Sequence, residues 1–186
     1  MGVAGEHGSA SHRKRWEGPL KRDDVQRITP CLWFDRNAEE AVRFYTSVFK
    51  NSKIGAISRY GEAGTVHGQP AGTVMTIEFE INGQSFTALN GGPMFKFNEA
   101  VSFQVRCETQ EEIDSYWGRL SQGGNAKAQQ CGWLKDKYGL SWQIIPTILG
   151  ELLQSKDAAK SDKVMKALLG MKKLDINGLK RAYEGS

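Results

Sequence analysis

Hydrophobic and polar positions recur with two different periods along this chain, and each change of period marks an element. Residues 27–34 are dense in β-branched and aromatic side chains and predict a strand, with Pro30 at its entrance or on a sheet edge. The period then becomes helical, placing Ala41, Phe44, Tyr45 and Val48 on one face. Asn37 is the expected N-cap, Glu40 completes a capping-box pattern three residues on, and the helix should end near Phe49. Strand patterns return at 54–60 and 73–81. In the second, Met75, Ile77, Phe79 and Ile81 share one face, while Thr76, Glu78 and Glu80 share the other. Asn82-Gly83 is a hairpin turn, 84–89 is the return strand, and Asn90-Gly-Gly-Pro93 breaks it.

The pattern then starts again. Residues 101–105 predict a strand with Val101, Phe103 and Val105 on one face. Thr109 and Glu112 form a second capping box, Ile113, Tyr116, Trp117 and Leu120 form a stripe, and Gly123-Gly124 ends the helix. Further strands fit 132–135 and 140–145. A shift of 72 residues superposes the two helices, Asn37 on Thr109 and Val48 on Leu120; a shift of 56 sets Gly83-Gln-Ser-Phe86 on Gly139-Leu-Ser-Trp142. Each copy reads strand, helix, strands. After Pro146 the chain reads as helical, with Val164, Met165, Leu168 and Leu169 as one stripe and a shorter helix from Asp175.

These patterns divide the 186 residues into a polar leader or extension at 1–24, a first module at 25–95, a shorter second module at 96–146 and a helical extension at 147–186. No apolar run approaches the ~20 residues of a spanning helix, and the leader has no apolar block of signal-peptide type. A cytoplasmic protein with no membrane partner is expected. The net charge of +4 lies outside the probable core: +1 in the leader, +3 in residues 151–186, and 12 charges of each sign between. That distribution offers no basic face for nucleic acid. Cys31, Cys107 and Cys131 are odd in number and widely spaced, the pattern of ordinary thiols rather than of disulfides or a zinc knuckle.

Five segments carry a family resemblance: Ile28-Thr-Pro-Cys-Leu-Trp-Phe-Asp35, Ala38-Glu-Glu-Ala-Val-Arg-Phe-Tyr45, Ala88-Leu-Asn-Gly-Gly-Pro93, Ser102-Phe-Gln-Val105 and Asp136-Lys-Tyr-Gly-Leu-Ser-Trp-Gln-Ile144. Over residues 27–146 the chain resembles the vicinal-oxygen-chelate superfamily of glyoxalases, bleomycin-resistance proteins and extradiol dioxygenases. It is most similar to the PhnB-like branch, which often carries a demethylubiquinone methyltransferase name. The resemblance implies an α+β fold in which two βαβββ modules form a curled eight-stranded cleft, here with C-terminal helices appended. In catalytic members it implies a divalent metal on the first, fourth, fifth and eighth strands, polarising paired substrate oxygens. Those positions fall here near Pro30 and Cys31, on Thr87, on Ala100 or Ser102, and on Gln143. Alternation suggests that Cys31 points under the helix. The histidines are His7, His12 and His67, too few for such a set, and no metal or other cofactor is expected.

If Thr87, Ser102, Gln104 and Gln143 share a face, they can hydrogen-bond a planar small molecule, with Trp33, Trp133 and Phe95 as stacking surfaces. The first expectation is therefore a homodimeric binding module for a planar or aromatic metabolite or drug. The alternative is a metal-dependent lyase, isomerase or dioxygenase, which needs Cys31, Glu78, His67 and Gln143 to converge. A third use is docking of another protein by the C-terminal helices. Methyl transfer finds no support in the residues, because no glycine-rich strand-to-helix turn is present.

Overall fold

The structure, a computed structural model, describes residues 28–185, and of residues 65–67 the backbone alone. The leader expected at 1–24, with His7 and His12, lies outside the described residues, as does the side chain of His67.

The first repeat gives strand β1 (Cys31–Phe34), helix α1 (Ala38–Val48) and strands β2 (Lys53–Arg59), β3 (Val74–Ile81) and β4 (Gln84–Asn90). They form one sheet in the order β1-β4-β3-β2, with β1 parallel to β4 and the other pairs antiparallel. The second repeat gives β5 (Phe103–Cys107), α2 (Gln110–Ser121), β6 (Trp133–Lys135) and β7 (Ser141–Pro146), in the order β5-β7-β6 with β5 parallel to β7. The fold is thus α+β, with sheets of four and three strands rather than eight strands in all. The stretch 122–132 is too short for the turn, strand and second turn that 49–73 supplies in the first repeat. It makes instead a 3₁₀ turn at Ala126–Ala128 and an isolated bridge from Gln130 to Trp133.

Of the stripes expected, Ala41, Tyr45 and Val48 on α1 and Ile113 and Leu120 on α2 are buried, while Phe44, Tyr116 and Trp117 are half-buried against the core; Val42, not assigned to the stripe, is buried too. The repeat extends to its turns: Gly83 and Gly139 both adopt left-handed φ (81° and 86°), and Phe86 and Trp142 beyond them are both buried. Capping differs between the copies. At α2 the box forms, with Thr109 Oγ1 accepting from Glu112 N (3.3 Å) and the Glu112 carboxylate from Glu108 N (2.7 Å). At α1 it does not. Asn37 makes no side-chain cap; the buried Asn90 at the end of β4 accepts the Ala38 N–H (2.9 Å) and donates to Val74 O (3.0 Å). Glu40 is thereby free to reach the other module.

One hydrophobic core, built on both helices and the helix-facing sides of both sheets, joins the two halves. Tyr45 packs 5.6 Å from Trp142, Phe49 5.3 Å from Trp142, and Phe86 5.2 Å from Phe103 (ring centroids). The extension adds α3 (Leu149–Leu153), α4 (Ala158–Leu169) and α5 (Ile176–Glu184). Its own cluster of Leu152, Val164, Leu168, Leu174 and Leu179 packs against Cys131 and Ile145, so these helices dock on their own chain. Met165 and Leu169, assigned to the buried stripe from the sequence, are exposed on α4. No helix among the described residues is long and apolar enough to cross a membrane.

Candidate functional site

Because the helix-covered faces meet in the core, the opposite face of the first sheet is open, and that of the second is open at Gln143 and covered by the C-terminal helices at Ile145. On the second sheet, strand pairing sets Gln104, Gln143 and Trp133 in one row across β5, β7 and β6. Gln104 Nε2 donates to Gln143 Oε1 (3.2 Å), and Gln143 Nε2 donates to Ser102 Oγ (2.8 Å). The Gln143 amide is therefore held at both ends, which fixes its orientation and turns the free Gln104 carbonyl and Ser102 hydroxyl outward as acceptor and donor. Trp133, half-buried, supplies an aromatic surface beside them.

Thr87 stands on the other sheet. Its row runs Cys31–Thr87–Glu78 across β1, β4 and β3. It borders a cavity of about 300 Å³ with Thr29, Glu78 and the Lys53–Glu80 ion pair (3.1 Å). Cys31 faces this open side rather than the underside of α1, because Leu32 and Phe34 take the buried positions of so short a strand. Partial burial pushes its thiol above the ordinary cysteine value, so it is not an activated thiolate.

Trp33 occupies a third place, at the end of β1. Its Nε1 donates to Gly92 O (2.8 Å), and its ring lies edge-on to Phe95 (4.9 Å, 76°). The ring sits so close to Gly91 that any side chain there would collide with it. With Phe97, Lys137 and Tyr138 it lines a cavity of about 380 Å³. Tyr138 is pushed up to about 12, first by burial and then by its hydrogen bond to Glu40. Lys137 and Tyr138 both reach Glu40 Oε1 (2.7 and 2.8 Å), binding α1 to the β6–β7 loop. The six residues expected to form one site therefore divide: Ser102, Gln104, Trp133 and Gln143 together, Thr87 apart, Trp33 apart again.

The sequence reading missed the group that locks the halves. Asp136 is only 2% exposed, and its carboxylate accepts from Tyr45 OH (2.8 Å), Trp142 Nε1 (2.9 Å), Tyr138 N (2.9 Å) and Leu140 N (3.0 Å). Burial pushes its carboxyl up, and the bonds from Trp142 and Tyr45 pull it back. Burial, then the charge of Asp136, raises the Tyr45 phenol well above its usual value, so it stays a donor. Asp136 lay inside a quoted family segment, but nothing in the spacing linked it to Tyr45.

Residues 26–145 match the sequence profile of the family described as 3-demethylubiquinone-9 3-methyltransferase. The chain belongs to this family. A PhnB protein from Bacillus cereus, named as a 3-demethylubiquinone-9 3-methyltransferase, shares 42% identity over 66% of this chain and 100% of its own, with a TM-score of 0.58. A Pseudomonas aeruginosa protein shares the fold at 18% identity over 66% of this chain and 98% of its own, with a TM-score of 0.51. A glyoxylase/bleomycin resistance protein/dioxygenase domain from Frankia is similar at 14% identity over 66% and 92%, with a TM-score of 0.43. No protein of curated function matches. The family match stops short of the three C-terminal helices.

The superfamily's metal positions can be tested on this chain's donors. They carry the Cys31 thiol, the Thr87 hydroxyl, the Ala100 methyl or the Ser102 hydroxyl, and the Gln143 amide, which already donates to Ser102 Oγ. No three His, Cys, Asp or Glu side chains among the described residues stand close enough to hold an ion. Cys31 and Glu78 flank Thr87, and Gln143 lies on the other sheet. Donors of this kind do not fit a three- or four-ligand divalent site.

Proposed function

We propose that this PhnB-like protein binds a planar, oxygen-bearing small molecule without a metal, through the Ser102–Gln143–Gln104 chain and the Trp133 ring. The observation that carries this reading is the Gln143 amide held at both ends, leaving a preset acceptor and donor on an open aromatic face. The quinone ring in the family's name is one member of that ligand class. Part of the second wall is in the chain itself: Gln104 borders a cavity of about 790 Å³ with Pro30, Gln84 and Phe86 of the first module, while Thr87 and Gln143 lie outside its lining. A homodimer that sets the first sheet of one copy against the second sheet of its partner would bring Cys31, Thr87 and Glu78 opposite Gln143, closing a cytoplasmic ligand cleft. This reading treats 25–95 and 96–146 as the two working modules, with the extension bracing the second.

Two observations weigh on the alternatives. Cys31 and Glu78 share a row, which favours the metal-dependent lyase, isomerase or dioxygenase more than any other feature here, yet a third strong ligand is missing from that row. Methyl transfer, named by the family, lacks a glycine in the β1–α1 turn Asp35-Arg36-Asn37 to admit a nucleotide-like donor. The test pairs sedimentation with thermal-shift titration of a tail-less ubiquinone head group and a panel of planar phenols and quinones. A dimer whose melting point rises saturably with one of them, less so in Gln104→Ala, supports the reading. A monomer with no saturable response across the panel refutes it.

A further inference from the structure

Where β1 gives way to α1, a further cavity of about 330 Å³ is lined by Arg36, Glu39, Arg59, Gln69, Thr73 and Asn90. It lies by the helix-covered side of the first sheet, where Asn90 is buried, and shares no lining residue with the Thr87 face. Its donors outnumber its acceptors. Arg59 gives one N–H to Gly72 O (3.0 Å), and its other donors have no partner among the described residues. Among the described residues Arg36 meets only Asp35, at 3.9 Å, and both are largely exposed, so that contact holds it weakly. Gln69 is 4% exposed, yet its side-chain amide has no hydrogen-bond partner among the described residues. Its amide lines the cavity, where it can be met by whatever enters. The N-terminal end of α1 adds to the same side: Asn37 caps nothing, and Asn90 takes only the Ala38 N–H.

We propose that this cavity is a separate site for a small organic anion, a carboxylate or a phosphate monoester, gripped by Arg59 and Arg36 and oriented by the Gln69 amide. Guanidinium forks match both oxyanions in paired hydrogen bonds, and the amide adds the directional donor that two flexible arginines lack. Glu39, the acid on the rim, opposes the charge and sets the sign of the test. The site is independent of the planar-ligand cleft and stands whether or not that reading holds.

The experiment follows backbone and side-chain amide resonances of the full chain at constant ionic strength, titrated with inorganic phosphate and, separately, with succinate. Saturable shifts of the Gln69 side-chain amide and of the first turn of α1 are expected, and the tighter of the two anions names the class. Arg59→Met should weaken binding about tenfold or more, the loss of one charged hydrogen-bonded partner. Glu39→Gln should tighten it severalfold, and Arg43→Ala, an equal loss of charge elsewhere on α1, should leave it unchanged. Shifts that never saturate with either anion would overturn the proposal, as would equal losses in Arg59→Met and Arg43→Ala. If Arg59→Met does not fold, the absence of tightening in Glu39→Gln overturns it alone.

Discussion

Asp136 shows how much one buried side chain can hold. Its four donors come from α1, β7 and its own loop, so the carboxylate couples the two halves through hydrogen bonds rather than through an opposite charge. Asp136→Asn places an amide N–H₂ against groups that also donate and should cost about 3 kcal/mol, whereas Tyr45→Phe, which removes one donor of four, should cost about 1–2 kcal/mol. Urea midpoints of the two variants check the order. The thiols give a second residue-level prediction. Cys31 is exposed while Cys107 is buried and pushed up to about 11 by burial, so native protein should alkylate at Cys31 and leave Cys107 unlabelled until unfolded. Peptide mass mapping after iodoacetamide reads this directly, and early labelling of Cys107 would contradict the packing. At this scale the sequence was only partly legible. Gln104 and Gln143 could be paired from alternation and the repeat, but Thr87 and Trp33 could not be separated from them, because the strand pattern fixes a face and says nothing of which way two sheets turn.

At the scale of elements, periodicity was the reliable guide and capping was not. Two identical-looking boxes gave one real cap and one replaced by Asn90, a residue fifty positions away whose amide satisfies both α1 and β3. Position 101 was read as strand, yet Val101 is 66% exposed and β5 begins at Phe103, running on to a buried Cys107. The extension shows the same limit: of the 164–169 stripe only Val164 and Leu168 are buried, and Leu174, in the loop before α5, had no signal in the pattern yet is fully buried. Gln110 ties this loop to α2, accepting from Ile176 N (2.9 Å) and donating to Leu174 O (3.1 Å). Cys131 and Gly132 donate to Met171 O and Lys172 O (2.8 Å each), so the extension braces the segment leading into β6. Leu174→Ala should therefore destabilise the protein by about 2–4 kcal/mol. Hydrogen exchange should quicken at Cys131 and Gly132 before the first sheet is affected. Uniform loss of protection across both sheets would mean the extension is not a local brace.

For the whole molecule, one arrangement governs the functional reading. Shared burial of Tyr45, Phe49, Phe86 and Trp142, with Phe103 packed against them, turns the two helix-covered faces inward and leaves the polar rows on the opposite faces. The repeat made two similar halves legible, but only the packing of aromatic residues between them decides how they turn, and that packing has no local signature. In the proposed function the Gln143 row binds its ligand as an amide network and not as a metal shell. The most direct measurement is isothermal titration of chelator-treated protein with the tightest planar ligand from the panel, alongside Gln143→Leu, with and without added manganese, nickel, iron or zinc. Near-stoichiometric binding per chain is expected, indifferent to metal and weakened about tenfold in Gln143→Leu, the loss of an oriented polar contact. Binding that appears only when a metal is restored, or that survives Gln143→Leu undiminished, would contradict it.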